Sequence, residues 1–171
     1  MLGRRAHATQ ELEQALARKG YTPDDIADTC QRLAEHDLLD DAAYARGRAR
    51  YRAEVSRWGR QRILRELKAK GVTEDDALAA LDALTDETPE TPVPHDFQET
   101  ATALLQRKFK PVTMALPEGD TAARQAARKE LEKEKMRRVN FLLRRGFSHK
   151  EAQQALHNVM DIANDAASDS V

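Results

Sequence analysis

The chain has 171 residues, with 28 Lys and Arg against 29 Asp and Glu and a formal net charge of −1. Its composition, 40% hydrophobic and 5% aromatic, suits small modules stacked in series better than one large core. A single cysteine excludes an intramolecular disulfide framework, and no run approaches the ~18 apolar residues of a membrane span or signal core, so a cytoplasmic location is expected.

The first module is read over residues 1–40, with helices near 9–19 and 22–36. Only Met1 to Ala6 precede them, so the first helix of a three-helix unit is nearly missing. The second module, 41–87, holds helices near 41–56, 60–70 and 73–85. In the first of these, Tyr44, Tyr51 and Val55 share a stripe and are expected to pack inward, with Arg46 and Arg50 on one flank and Arg48 and Arg52 on the other. In the next, Ile63, Leu64 and Leu67 form the apolar face while Arg62, Arg65 and Lys68 look elsewhere, and Trp58 and Gly59 mark the joint. Three prolines in the stretch 88–95 make it a linker. The third module, 96–162, opens with Phe97, Ala101, Leu104, Leu105 and Phe109 on one helical face. The chain breaks over Pro111 to Gly119, and a long charged helix then leads from about Asp120 through Val139, Leu142 and Leu143 to Gly146. The last helix carries Ala152, Leu156 and Val159, and 163–171 is expected to be a disordered tail. No segment alternates in the manner of a strand, so the fold class is all-α.

The three modules repeat one another. With Gly20, Gly71 and Gly146 as origin, Leu16, Leu67 and Leu142 stand at minus four, Cys30, Leu81 and Leu156 at plus ten, and Leu33, Leu84 and Val159 at plus thirteen. Two residues after each glycine comes a hydroxyl, Thr22, Thr73 or Ser148, and three further on a carboxylate, Asp25, Asp76 or Glu151. That spacing is a capping box, strictly matched only by Glu151 because the motif takes Glu or Gln at that place. Pro23 stands at the first helical position of its copy, where a missing N–H costs nothing. The glycine ends one helix by adopting positive φ. Cys30 occupies a leucine position and is read as core.

Charge is organised in blocks. Residues 42–71 hold ten Arg or Lys against Glu54 and Glu66, residues 72–99 hold nine acids and no Lys or Arg, and residues 124–150 hold ten bases against three acids. Two basic blocks separated by an acidic one point to an electrostatic partner although the total charge is near zero. Most of these bases are arginine, whose planar fork binds phosphates and carboxylates bidentately. Tyr51 and Trp58 lie among them, where they could stack on bases, although core packing is the favoured reading of both. A helix-turn-helix reader is disfavoured, since the helix after Gly71 carries Glu74, Asp75, Asp76 and Asp82 and no base. His7, His36, His95, His149 and His157 are scattered without metal-ligand spacing, and there is no phosphate loop or nucleophile motif. The reading is of a protein without enzymatic activity, metal or cofactor.

Four segments carry a family resemblance: RRAHATQEL from Arg4, LLDDAAYAR from Leu38, WGRQRILRELKAKGV from Trp58 and FLLRRGF from Phe141. In this order and spacing the chain resembles the RecX regulatory proteins of bacteria over nearly its whole length. The resemblance implies an elongated array of three tandem three-helix repeats, here with most of the first helix lacking. It also implies a modulator, usually an inhibitor, of the RecA recombinase, acting in recombination, DNA repair and the SOS response by lying in the groove of the filament on single-stranded DNA. Arg60 departs from the proline usual in the family at that place. The expected contact residues, chosen by charge and expected exposure, are Arg46, Arg50, Arg57, Arg62, Arg65, Arg137, Arg138, Arg144 and Arg145. The implied partners are the RecA filament and single- or double-stranded DNA, with the protein itself a monomer. The alternatives are a single-strand binder that competes for DNA and a helical scaffold for another protein.

Overall fold

The computed structural model describes residues 8–86, 94–111 and 121–168, with side chains through residue 160. Eight α-helices and no strand occur among the described residues: α1 Thr9–Ala17, α2 Pro23–Glu35, α3 Asp41–Glu54, α4 Arg60–Ala69, α5 Glu74–Thr85, α6 Phe97–Lys108, α7 Thr121–Arg144 and α8 His149–Ser168. The expected first-helix remnant at Met1 to Ala6, the Pro-rich stretch 88–93 and the break over 112–120 lie outside the described residues. The last helix, α8, extends to Ser168.

The chain divides into two compact units, Met1–Ser56 with Arg62–His95, and Arg57–Gln61 with Asp96–Val171. In the first, α1 packs on α2 around Leu12, Ile26, Cys30 and Leu39, with Leu16 and Leu33 against them. There α3 also packs on α5, and both helices turn small residues inward: Ala45, Ala49 and Ala53 on one, Ala77 and Ala80 beside Leu81 and Leu84 on the other. In the second unit α8 packs against α6 and α7, burying Phe97, Ala101, Leu104 and Leu105 with Val139, Leu142, Phe147, Ala152 and Ala155. Phe109 meets Phe141 edge to face at 5.5 Å.

The repeat unit is a helix stop joined to a helix start. Gly20, Gly71 and Gly146 take φ of 89°, 84° and 87°. In each copy the glycine amide donates to a carbonyl three residues back, and the next amide to the carbonyl of Leu16, Leu67 or Leu142. This is a Schellman stop, in which the leucine four before the glycine contributes both an acceptor and an apolar neighbour for the residue after it. Each following hydroxyl caps the next helix, as Thr22, Thr73 and Ser148 accept from the amides of Asp25, Asp76 and Glu151 at 3.2, 3.1 and 3.2 Å. Only Glu151 completes the reciprocal bond, taking the Ser148 amide at 2.6 Å. The shorter Asp25 and Asp76 carboxylates instead accept from the threonine hydroxyls.

The stripe expected on α3 is corrected by the structure. Tyr44 is buried, but Tyr51 and Val55 are 51% and 64% exposed. The helix turns Ala45, Ala49 and Ala53 to the core instead, because close packing on α5 is met by small residues at four-residue spacing, and Tyr51 and Val55 then project away. Leu156 is likewise only half-buried, with Ala155 taking the interior position.

Two glycines are required by close approach. A Cβ on Gly71 would overlap the side chain of Gln10, beside an ion pair between Lys70 and Glu11 at 2.9 Å. A Cβ on Gly59 would overlap the backbone of Gly146 and Phe147. There the Gly59 amide donates to the Arg145 carbonyl at 2.9 Å, and the Gln61 amide to the Gly146 carbonyl at 3.0 Å. Both joints have the same design. In each a glycine turn lies against residues at a helix start, Gly71 against Gln10 and Gly146 against Gly59, and the Gly146 carbonyl satisfies the Gln61 amide that the helix start leaves orphaned.

Candidate functional site

The basic residues divide by what the fold does with them. On α3, Arg48 and Arg52 converge on Glu66 of α4. Arg48 Nη2 lies 2.6 Å from Glu66 Oε1, while Arg52 Nε and Nη2 lie 2.7 and 2.6 Å from Oε2 and Oε1. Burial pushes the Glu66 carboxyl upward, but the bonds from Arg52 and Arg48 and their charges outweigh it and hold the group below the usual range. The bond to Glu66 raises Arg52 above the ordinary arginine value. These two arginines and Glu66 form a half-buried structural cluster.

Of the expected contact residues in the first unit, Arg46 and Arg65 are exposed, and Arg50 and Arg62 are half-buried. Of those in the second, Arg57, Arg137 and Arg144 are exposed and Arg145 is half-buried, its guanidinium 5.1 Å from the centre of the Phe141 ring. Arg137 reaches Glu134 at 3.4 Å and the Phe109 ring at 5.5 Å. Arg57 takes a left-handed conformation with φ 52°, unusual outside glycine, immediately before the Gly59 joint. Through that joint Arg57 of the first basic block and Arg144–Arg145 of the second belong to one unit, an adjacency that no local pattern announces.

Arg138 is corrected. The charge pattern places it on the surface, yet it is 3% exposed. Its Nη2 donates to the Lys110 carbonyl at 2.7 Å, its guanidinium lies 5.1 Å from the Phe109 ring centre, and Glu134 stands 3.3 Å away. Burial pushes its pKa below the ordinary arginine value, with Glu134 acting in the opposite sense. One residue of register decides this, since Val139 and Leu142 turn the α7 face that contains Arg138 inward and leave Arg137 outside.

No group of histidine, cysteine and carboxylate side chains among the described residues could hold a metal ion, and no described helix is long and apolar enough to cross a membrane. Cys30 is buried, and burial followed by the Glu13 charge raises its thiol above the ordinary value. It is a packed core residue, as its leucine-equivalent position suggests.

This arrangement has counterparts. The family model for the first three-helix domain of RecX matches residues 1–33, and that for the second three-helix domain matches residues 40–81. The regulatory protein RecX of Chromohalobacter salexigens is 31% identical over 156 residues, covering 91% of this chain and 86% of its own. That of Halorhodospira halophila is 32% identical over 155 residues, covering 91% and 81%. The crystal structure of RecX from Lactobacillus salivarius superimposes with a TM-score of 0.68 at 20% identity, covering 94% of this chain and 90% of that one, a likeness of fold. With two family models matched in order and relatives 31–32% identical over 91% of its length, the chain belongs to the RecX family of regulatory proteins.

Proposed function

We propose that this protein modulates, and mainly inhibits, the RecA recombinase by binding its filament on single-stranded DNA, with no catalytic step of its own. The observation that carries the reading is family membership across 91% of the chain, including both arginine-bearing stretches. The contact set is Arg46, Arg50, Arg57, Arg62, Arg65, Arg137, Arg144 and Arg145, without the buried Arg138. Among the described residues Arg46, Arg57 and Arg144 are exposed and form no ion pair, so they can meet carboxylate or phosphate with little desolvation cost.

The test is DNA-stimulated ATP hydrolysis by RecA titrated with this protein, against an unrelated single-strand binder of matched DNA affinity. Inhibition well below the concentration that coats the DNA is expected. Inhibition only at coating concentrations would assign the effect to competition for the strand, whose log–log salt slope is about −0.7 per phosphate contacted. Reversing charge in Arg62→Glu with Arg65→Glu is expected to weaken inhibition with helix content retained; unaltered inhibition removes these two residues from the contact set.

A further inference from the structure

The solvent face of α3 holds an apolar strip in the most basic stretch of the chain. Gly47, Tyr51 and Val55 follow one another at four-residue spacing, so they line one side of the helix and its C-cap, Val55. Tyr51 and Val55 are exposed, and a Cβ placed on Gly47 meets nothing within 4 Å. A glycine inside an exposed helix costs about 1 kcal/mol relative to alanine. At Gly47 nothing in the fold requires it. What it does offer is open access to the helix backbone beside Tyr51.

The strip is held ready. The Arg52 guanidinium lies 5.9 Å from the Tyr51 ring centre and is itself fixed by Glu66, so one face of the ring is braced through a half-buried ion pair. A braced aromatic loses little conformational freedom on binding. On the far edge of the strip stand the exposed Arg46 and half-buried Arg50, on the near edge the Arg48–Arg52–Glu66 cluster.

From this we infer that the Gly47–Tyr51–Val55 strip of α3 is the surface that grips the protein component of the filament, through an apolar patch with acidic neighbours opposite Arg46 and Arg50. The inference rests on the reading of the chain as a RecA modulator and names the face that makes the contact. Two features favour protein over nucleic acid. Val55 has no π-face on which a base could stack, and one face of the Tyr51 ring is taken by Arg52. A glycine beside an aromatic and an aliphatic side chain forms a shallow notch that suits an apolar ridge, and the arginine edge selects for carboxylates around it.

The experiment uses the full chain in two variants, Tyr51→Ser with Val55→Ser, and Gly47→Gln. Each is assayed for inhibition of ATP hydrolysis by RecA filaments, affinity for bare single-stranded DNA, and thermal midpoint. The double variant is expected to raise the half-inhibitory concentration about tenfold or more, with bare-strand affinity and its salt slope unchanged. Gly47→Gln is expected to raise the thermal midpoint, glutamine being the better helix former, and still to weaken inhibition, an opposition of sign that loss of folding cannot produce. Inhibition unchanged in both variants overturns the assignment. A parallel loss of bare-strand affinity also overturns it, making the strip a nucleic-acid contact. Absence of inhibition by the unaltered protein overturns the functional reading itself and this inference with it.

Discussion

The amide of Gly59 donates to the carbonyl of Arg145 at 2.9 Å, so the ends of two basic stretches far apart in sequence meet at a single backbone joint. Gly59 is buried against Gly146 and Phe147, with no room for a side chain. It does not share the positive φ of the turn glycines.

That difference separates two costs of replacing glycine. Gly59→Ala is expected to destabilise by about 1–3 kcal/mol through overpacking alone. At Gly20 φ is 89° and a Cβ meets nothing within 4 Å, so Gly20→Ala is expected to show only the left-handed strain, about 1–2 kcal/mol. Urea unfolding monitored by circular dichroism measures both. A Gly59→Ala protein as stable as the parent would mean that the joint readily opens.

Glu66 ties Arg48 and Arg52 together, and Glu66→Gln is expected to cost about 1.5–3 kcal/mol at neutral pH. Because the folded carboxyl lies below its ordinary value, its contribution is complete above that value, about 4.3, and is lost as pH falls through the folded one. The stability gap between parent and variant is therefore expected to close in acid. Denaturant titrations at neutral and acid pH measure it, and a gap that persists in acid would remove the carboxylate charge as its source.

Arg138 and Arg144 stand six residues apart on α7 and are expected to behave as different kinds of residue. Arg138→Ala leaves the Lys110 carbonyl without its donor, removes one contact of the Phe109 ring and is expected to cost about 2–3 kcal/mol. Arg144→Ala is expected to change stability by no more than about 0.5 kcal/mol and to weaken inhibition of the filament instead. Thermal unfolding and the ATP hydrolysis assay together separate the two, and the reverse pattern would contradict the burial of Arg138.

The order of the eight helices described, the three glycine stops and the caps that follow them are legible along the chain. These are local events: a Schellman turn and a capping box involve residues within about six positions, and the leucine at minus four is part of the stop itself. The strict match of Glu151 to the box was legible for the same reason, because side-chain length alone decides whether a carboxylate reaches back to the cap amide. Tertiary structure decided which side of each helix faces inward and which arginines reach solvent. On α3 an alanine row and a tyrosine–valine stripe were both available, and packing against α5 selected the alanines. On α7 the inward turn of Val139 and Leu142 took Arg138 with it, and α3 and α4 together drew Arg48 and Arg52 onto Glu66. The Gly59 joint was equally hidden, since it depends on the backbone of a turn in another repeat rather than on any neighbour along the chain.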